Sequence, residues 1–106
     1  MPTPIQLSDR ERFTVGAILS RFADQIGRVR VYGSRAIGRA RPSSDLDLAL
    51  DPPISTRTLY DLMEAFEDSD LPITVDLFVI SPDSSPELCE AIERHGVDWP
   101  ITPARP

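Results

Sequence analysis

Lysine does not occur in the 106 residues, and cysteine, histidine and tryptophan occur once each. A single cysteine, Cys89, excludes an internal disulfide, and its place in a helical pattern suits packing better than nucleophilic chemistry. His95 has no cysteine or second histidine at ligand spacing, which excludes a Cys/His metal cage; one residue before Gly96, it suits a helix C-terminus instead. No apolar run approaches the ~20 residues that a membrane-spanning helix needs. Met1 to Gln6 lacks the basic and apolar parts of a signal peptide, so the chain is expected to be cytoplasmic and to have no membrane partner. Internal repeats and low-complexity segments are also absent. All eleven basic residues are arginine, a bias for which the sequence offers no functional account.

The charge that is present is unevenly placed. Up to Ser44 the acids are only Asp9, Glu11 and Asp24, whereas from Asp45 onward only Arg57, Arg94 and Arg105 offset a long series of carboxylates, giving -6 overall. An acidic second half argues against general nucleic-acid coating, which relies on many phosphate contacts. A nucleotide at the arginine-rich end fits the same distribution. The length suits one domain with one core, and no second substrate-binding lobe is expected.

Hydrophobic periodicity orders the elements as α, β, short α, β, α, β, α. Ser8-Asp9-Arg10-Glu11 reads as a capping box, followed by Val15, Ile18, Leu19, Phe22 and Ile26 at helical spacing. Arg28 to Tyr32 and Ser44 to Leu50 read as strands. Asp51-Pro52-Pro53 stops the second, and Leu59, Leu62, Met63 and Phe66 mark an amphipathic helix. Thr74 to Ile80 is the third strand. Ser85-Pro86 resembles an N-cap with proline at the first helical position, and Leu88, Ile92 and His95 share a face before Gly96. The fold class expected is α/β (α+β): a three- or four-stranded mixed sheet backed by helices on one side, as a single domain over residues 1–96. Residues 97–106 are expected to be a Pro-rich irregular tail, in which Trp99 either finishes the core or anchors an interface.

The most informative stretch is Gly33-Ser34, ten intervening residues, and Asp45-Leu46-Asp47. In Asp45-Leu46-Asp47-Leu48-Ala49-Leu50 the acids and the leucines alternate with period two, so both carboxylates leave one face of a strand, attached roughly 6.5–7 Å apart. Unpaired, they repel and push one pKa upward; a bound Mg²⁺ or Mn²⁺ reverses that cost. Magnesium takes one or two carboxylates and fills its octahedron with water and substrate phosphates, which points to a phosphate-bearing ligand. Gly33 permits close backbone approach, and a short helix opening at Ser34 would present free N–H groups and a hydroxyl to phosphate oxygens. Arg28, Arg30, Arg35, Arg39 and Arg41 cluster here, and some are expected to touch phosphate or nucleic acid.

Each piece alone has a plainer reading. Gly-Ser turns are common, an exposed edge strand can carry Asp-x-Asp, and arginine clusters are often solvated surface. Asp51 continues the face of Asp45 and Asp47, but the prolines beside it favour a strand-terminating role. The ordered set of strand, Gly-Ser turn, linker, Asp-x-Asp strand and a third strand with one Asp favours a site.

Gly33-Ser34-Arg35-Ala36-Ile37-Gly38-Arg39-Ala40-Arg41-Pro42-Ser43-Ser44-Asp45-Leu46-Asp47-Leu48 resembles the signature of the minimal nucleotidyltransferases in the DNA polymerase β superfamily, essentially without gaps, and the likeness runs roughly from Ile18 to Gly96. The resemblance implies the nucleotidyltransferase fold. It makes Asp45, Asp47 and Asp76 the catalytic, metal-binding acids for two Mg²⁺ ions, with Asp76 the less distinctive of the three. Gly33, Ser34 and Arg35 become the nucleotide-binding residues and ATP the substrate. Many such minimal enzymes are antitoxins of a HEPN ribonuclease toxin, in some systems by attaching AMP to one of its tyrosines, so the partner implied is a HEPN-type toxin. Arg94-His95 lacks the spacing of the toxin's own motif. A small-molecule nucleotidyltransferase of the aminoglycoside type and a non-catalytic antitoxin that works by occlusion are the alternatives.

Overall fold

The computed structural model describes residues 5–100. Ser8 begins α1 (Asp9–Arg21) with the expected capping box: its hydroxyl accepts from the Glu11 amide, and the Glu11 carboxylate accepts from the Ser8 amide. Val15, Ile18 and Leu19 form the buried stripe of α1. The helix stops at Arg21, and Phe22 and Ile26 reach the core from the following turn. β1 (Val29–Tyr32), a 3₁₀ turn (Gly33–Arg35), β2 (Leu46–Leu50), α2 (Thr56–Glu67), β3 (Val75–Val79), α3 (Pro86–His95) and β4 (Val97–Asp98) follow. Ser55 and Ser85 cap α2 and α3, accepting from the amides three residues on.

The four strands form one mixed sheet in the order β3-β2-β1-β4. β1 is antiparallel to β2 and β4, and β2 is parallel to β3. The helical crossover α2 is what a parallel pair requires. Val29 and Val31 of β1 and Leu46, Leu48 and Leu50 of β2 are buried with α1 and with Leu62 and Phe66 of α2 in one cluster. Burying a leucine or valine side chain contributes about 1.5–3 kcal/mol, so this face of the sheet sets the register of β2.

Two expectations change. Residues from Val97 do not begin an irregular tail. Val97 pairs with Val31, Asp98 with Arg30, and the Trp99 amide donates to the Val29 carbonyl at 2.8 Å. Trp99 joins the core over Gly16, where an added Cβ would lie 3.7 Å from the indole ring. A hydrophobic ring and one strand edge left open by β1 give this short segment its place; the rest of the expected tail, 101–106, lies outside the described residues.

The helices are not all on one side. Arg30, Ala49 and Phe78 are register partners on the sheet face away from the main cluster, and α3 lies on that face. Glu93 of α3 is 3.4 Å from the Arg30 guanidinium, and Gly96 sits against the Arg30 side chain. Ile92 is the buried anchor of α3 and, like Ala49, stands outside the main cluster. Arg30 carries two carboxylate partners, Asp51 at 3.0 Å and Glu93. Asp51 therefore closes the strand end, as its prolines suggested.

Candidate active site

One step further along that face the residues are Tyr32, Asp47 and Asp76, again register partners across β1, β2 and β3. Alternation places them on the same side as Arg30, Ala49 and Phe78, and the Tyr32 and Phe78 rings meet edge to face with centroids 6.5 Å apart. Asp47 and Asp76 stand on adjacent strands, attached about 5 Å apart. Asp45 lies just before β2, exposed, two residues from Asp47. Neither Arg30 nor any other cation forms an ion pair with Asp45, Asp47 or Asp76 among the described residues.

The electrostatic result is a strained carboxylate. Partial burial, then the charges of Asp76 and Asp45, push Asp47 up from 3.8 to about 6, and a hydrogen bond with Asp76 favours its protonated form. Burial, followed by Asp47 and Asp76, also raises Tyr32 above its ordinary value. A site that pulls like charges together without a counter-charge is the donor set of a hard divalent cation. Among the described residues no three donors are already gathered at metal-ligand distance. Magnesium needs only one or two protein carboxylates and takes the rest of its shell from water and phosphate, so the Asp45, Asp47 and Asp76 set fits it.

Gly33 is tied to this site by two facts. Its φ is +76°, a conformation that costs any residue with a Cβ. A Cβ there would also collide with the Asp47 carboxylate. The chain here makes a single 3₁₀ turn, Gly33–Arg35, in place of the short helix expected to open at Ser34, and Gly38 turns the chain again at φ +76°. The Ser34 hydroxyl, half-buried, has no intramolecular hydrogen-bond partner among the described residues, so it is free for a ligand.

Arg35 is placed differently from what the motif suggested. It is 3% exposed, and its guanidinium donates to the carbonyls of Gln6, Arg41, Pro42 and Ser44 at 2.6–3.3 Å. A side chain spent on four carbonyls does not reach a phosphate. Its role is to hold the ten-residue linker in shape, assisted by Gln6, whose side-chain amide exchanges two hydrogen bonds with the Ala40 backbone. Arg28 pairs with Asp98 and Arg30 with Asp51 and Glu93. Only Arg39 and Arg41 of the cluster remain exposed and without side-chain partners among the described residues. Tyr32 also lines the site, though it was not among the expected site residues; strand alternation from Arg30 indicates its face, whereas its partner Asp47 across the sheet depends on the register.

A small mixed sheet with a Gly-Ser turn beside an Asp-x-Asp strand and a third acid on the next strand defines a nucleotidyltransferase palm. The polymerase β nucleotidyltransferase family matches residues 15–98. A solved structure assigned as a minimal nucleotidyltransferase is 31% identical, with 89% of this chain and 98% of that one covered and a TM-score of 0.64. The chain belongs to the polymerase β nucleotidyltransferases, in their minimal form. It is also similar to the probable protein adenylyltransferase MntA of Haemophilus influenzae, 47% identical over 51 residues. That match takes in 46% of this chain and spans only 45% of the relative's length. A toxin–antitoxin complex solved with AMP-PNP shares the fold at a TM-score of 0.65, with 20% identity over 86% of this chain and 73% of that one. No helix among the described residues is long and apolar enough to cross a membrane.

Proposed function

We propose that this chain is the antitoxin of a HEPN/MNT pair and transfers AMP from ATP to a hydroxyl, on a tyrosine, of its HEPN-type toxin partner. The observation that supports it most is the placement of Asp47, beside Asp76 on the neighbouring strand and two residues from Asp45, with no ion-paired cation among the described residues. The adenylyltransferase name of the matched relative and the nucleotide-bearing toxin–antitoxin complex of the same fold favour this substrate and partner.

In this reading Asp45, Asp47 and Asp76 are the catalytic acids and would hold two Mg²⁺ ions. Such ions supply charge neutralisation at the departing pyrophosphate and a lowered pKa at the acceptor hydroxyl. The Gly33 turn lets the triphosphate approach the backbone beside Asp47, and the Ser34 hydroxyl donates to a phosphate oxygen. Arg35 keeps the linker from Ala36 to Ser44 fixed beneath the phosphates, while exposed Arg39 and Arg41 are placed to meet their charge. The bond formed joins the acceptor oxygen to the α-phosphorus; the α,β phosphoanhydride breaks, pyrophosphate leaves with the electron pair, and the acceptor's proton passes to water. Positioning of the two reactants and electrostatic stabilisation of the developing charge together supply most of the barrier reduction in chemistry of this kind.

The test is incubation of the chain with Mg²⁺, ATP labelled at the α-phosphate and the purified HEPN-type partner, read by intact mass. The expected result is a gain of one or more AMP units on the partner, lost in the Asp45→Asn, Asp47→Asn double variant. A partner neutralised equally well by that variant, with no AMP gained, would replace the proposal with occlusion. AMP transferred to aminoglycosides without any protein partner would replace it with the small-molecule reading.

A further inference from the structure

We infer that the acceptor segment docks as an added strand on the outer edge of β3, with an apolar–tyrosine–apolar pattern and basic flanks. This rests on the transfer reading above and adds how the acceptor is presented. Its starting point is the ladder between β2 and β3. The Leu46 amide donates to the Thr74 carbonyl at 2.9 Å, and the Ile80 amide donates to the Leu50 carbonyl at 3.0 Å. With Leu46 opposite Val75 in a parallel register, the even-numbered residues of β3 direct their backbone groups to β2. Val75, Leu77 and Val79 direct theirs outward. No described residue bonds to those outward groups, and β3 is the end of the sheet.

Sheet edges are ordinarily blunted by lysine, proline, a bulge or a covering segment. β3 has none of these among the described residues. Its only charge, Asp76, belongs to the catalytic face. Unblunted edges are what strand-adding peptides use: backbone bonds supply affinity and side-chain pockets supply specificity.

A pocket lies at the right place. A cleft of about 480 Å³ runs along β3 under the end of α2, lined by Met63, Phe66, Leu71, Ile73 and Leu77, with Asp76 at its lip. Met63, expected from its helical spacing to be core, is 40% exposed here. Alternation then fixes the pattern of the guest. A residue opposite Asp76 faces the carboxylates, about 5 Å from the Asp76 attachment point, and its two neighbours face the cleft. The hydroxyl residue is therefore flanked by apolar ones. Glu67 on the cleft wall, with exposed Asp68 and Asp70 just beyond it, favours basic residues at the ends of the segment.

The probe is acetyl-Arg-Val-Tyr-Val-Arg-amide at millimolar concentration with Mg²⁺ and ATP, against the same peptide N-methylated at its three central amides. AMP transfer to the first peptide, at least tenfold faster than to the second, is expected. Met63→Arg, on the exposed cleft wall, should raise KM for the peptide at least tenfold while leaving ATP affinity unchanged. In amide exchange followed by NMR, Val75, Leu77 and Val79 should exchange rapidly in the free chain and slow at least tenfold with the peptide and AMP-PNP. Equal transfer to both peptides, or exchange at these three amides unaltered while transfer proceeds, overturns the inference and leaves the transfer reading standing. Protection of the three amides in the free chain that grows with its concentration would assign the edge to a second copy, and also overturns it. No transfer to peptide or to the HEPN-type partner removes both readings together.

Discussion

Replacing Asp47 by asparagine should make the isolated chain more stable and catalytically dead. In the fold Asp47 titrates at about 6 rather than 3.8. The native state therefore keeps this proton between about pH 4 and 6, where the unfolded chain has already released it. Stability drawn from Asp47 is complete below about pH 4, falls as pH rises through 6, and is fully lost above it. At about 1.36 kcal/mol per tenfold in proton affinity the displacement corresponds to roughly 3 kcal/mol. The side chain is only partly buried, so solvent screening reduces this to about 1–1.5 kcal/mol. The amide of Asp47→Asn retains a donor toward Asp76 and carries no charge, so it removes both the burial cost and the repulsion. Without Mg²⁺ at pH 7.5, Asp47→Asn should melt ~4–8 °C above the parent chain. At pH 4.5 most of the difference should vanish. Asp70→Asn, an exposed acid away from the site, controls for net charge alone. Thermal unfolding followed by circular dichroism reads all three proteins. A variant that melts at or below the parent at pH 7.5, or that gains as much at pH 4.5, refutes the account of Asp47 as a strained carboxylate.

Gly33→Ala should cost about 1–2 kcal/mol for the positive φ and displace the Asp47 carboxylate, so AMP transfer should fall by more than the stability change explains; kinetics at a temperature where the variant is fully folded check this. Arg35→Ala leaves four carbonyls without a charged donor and should destabilise by about 2–4 kcal/mol. Arg35→Lys should recover little of it, because an ammonium cannot reproduce the planar fork, and urea unfolding of the two variants measures the difference. Trp99→Ala should cost about 3–5 kcal/mol, measured the same way, if residues 97–99 are integral to the sheet and core. Loss of under 1 kcal/mol would return Trp99 to the tail.

Local physics wrote much of this protein into its sequence. The capping box at Ser8, the proline after Ser85 and the alternation of Asp45, Leu46, Asp47, Leu48 and Leu50 each act over a few residues. The helices, three strands and the candidate pair Asp45 and Asp47 could therefore be read directly, and Gly33 could be marked as a close-approach turn. What the chain could not disclose locally was which distant residues meet. Asp76 is one acid in one strand until the parallel register sets it beside Asp47, and the rise of Asp47 to about 6 follows from that meeting. Arg35 looks like a phosphate ligand because charge is visible in sequence and burial is not; only the fold turns its guanidinium down onto four carbonyls. β4 is two residues long and exists because β1 leaves an edge open and the Trp99 ring has a core to enter. Short-range propensity and periodicity determine the elements, whereas burial, register and edge pairing depend on the whole chain having closed.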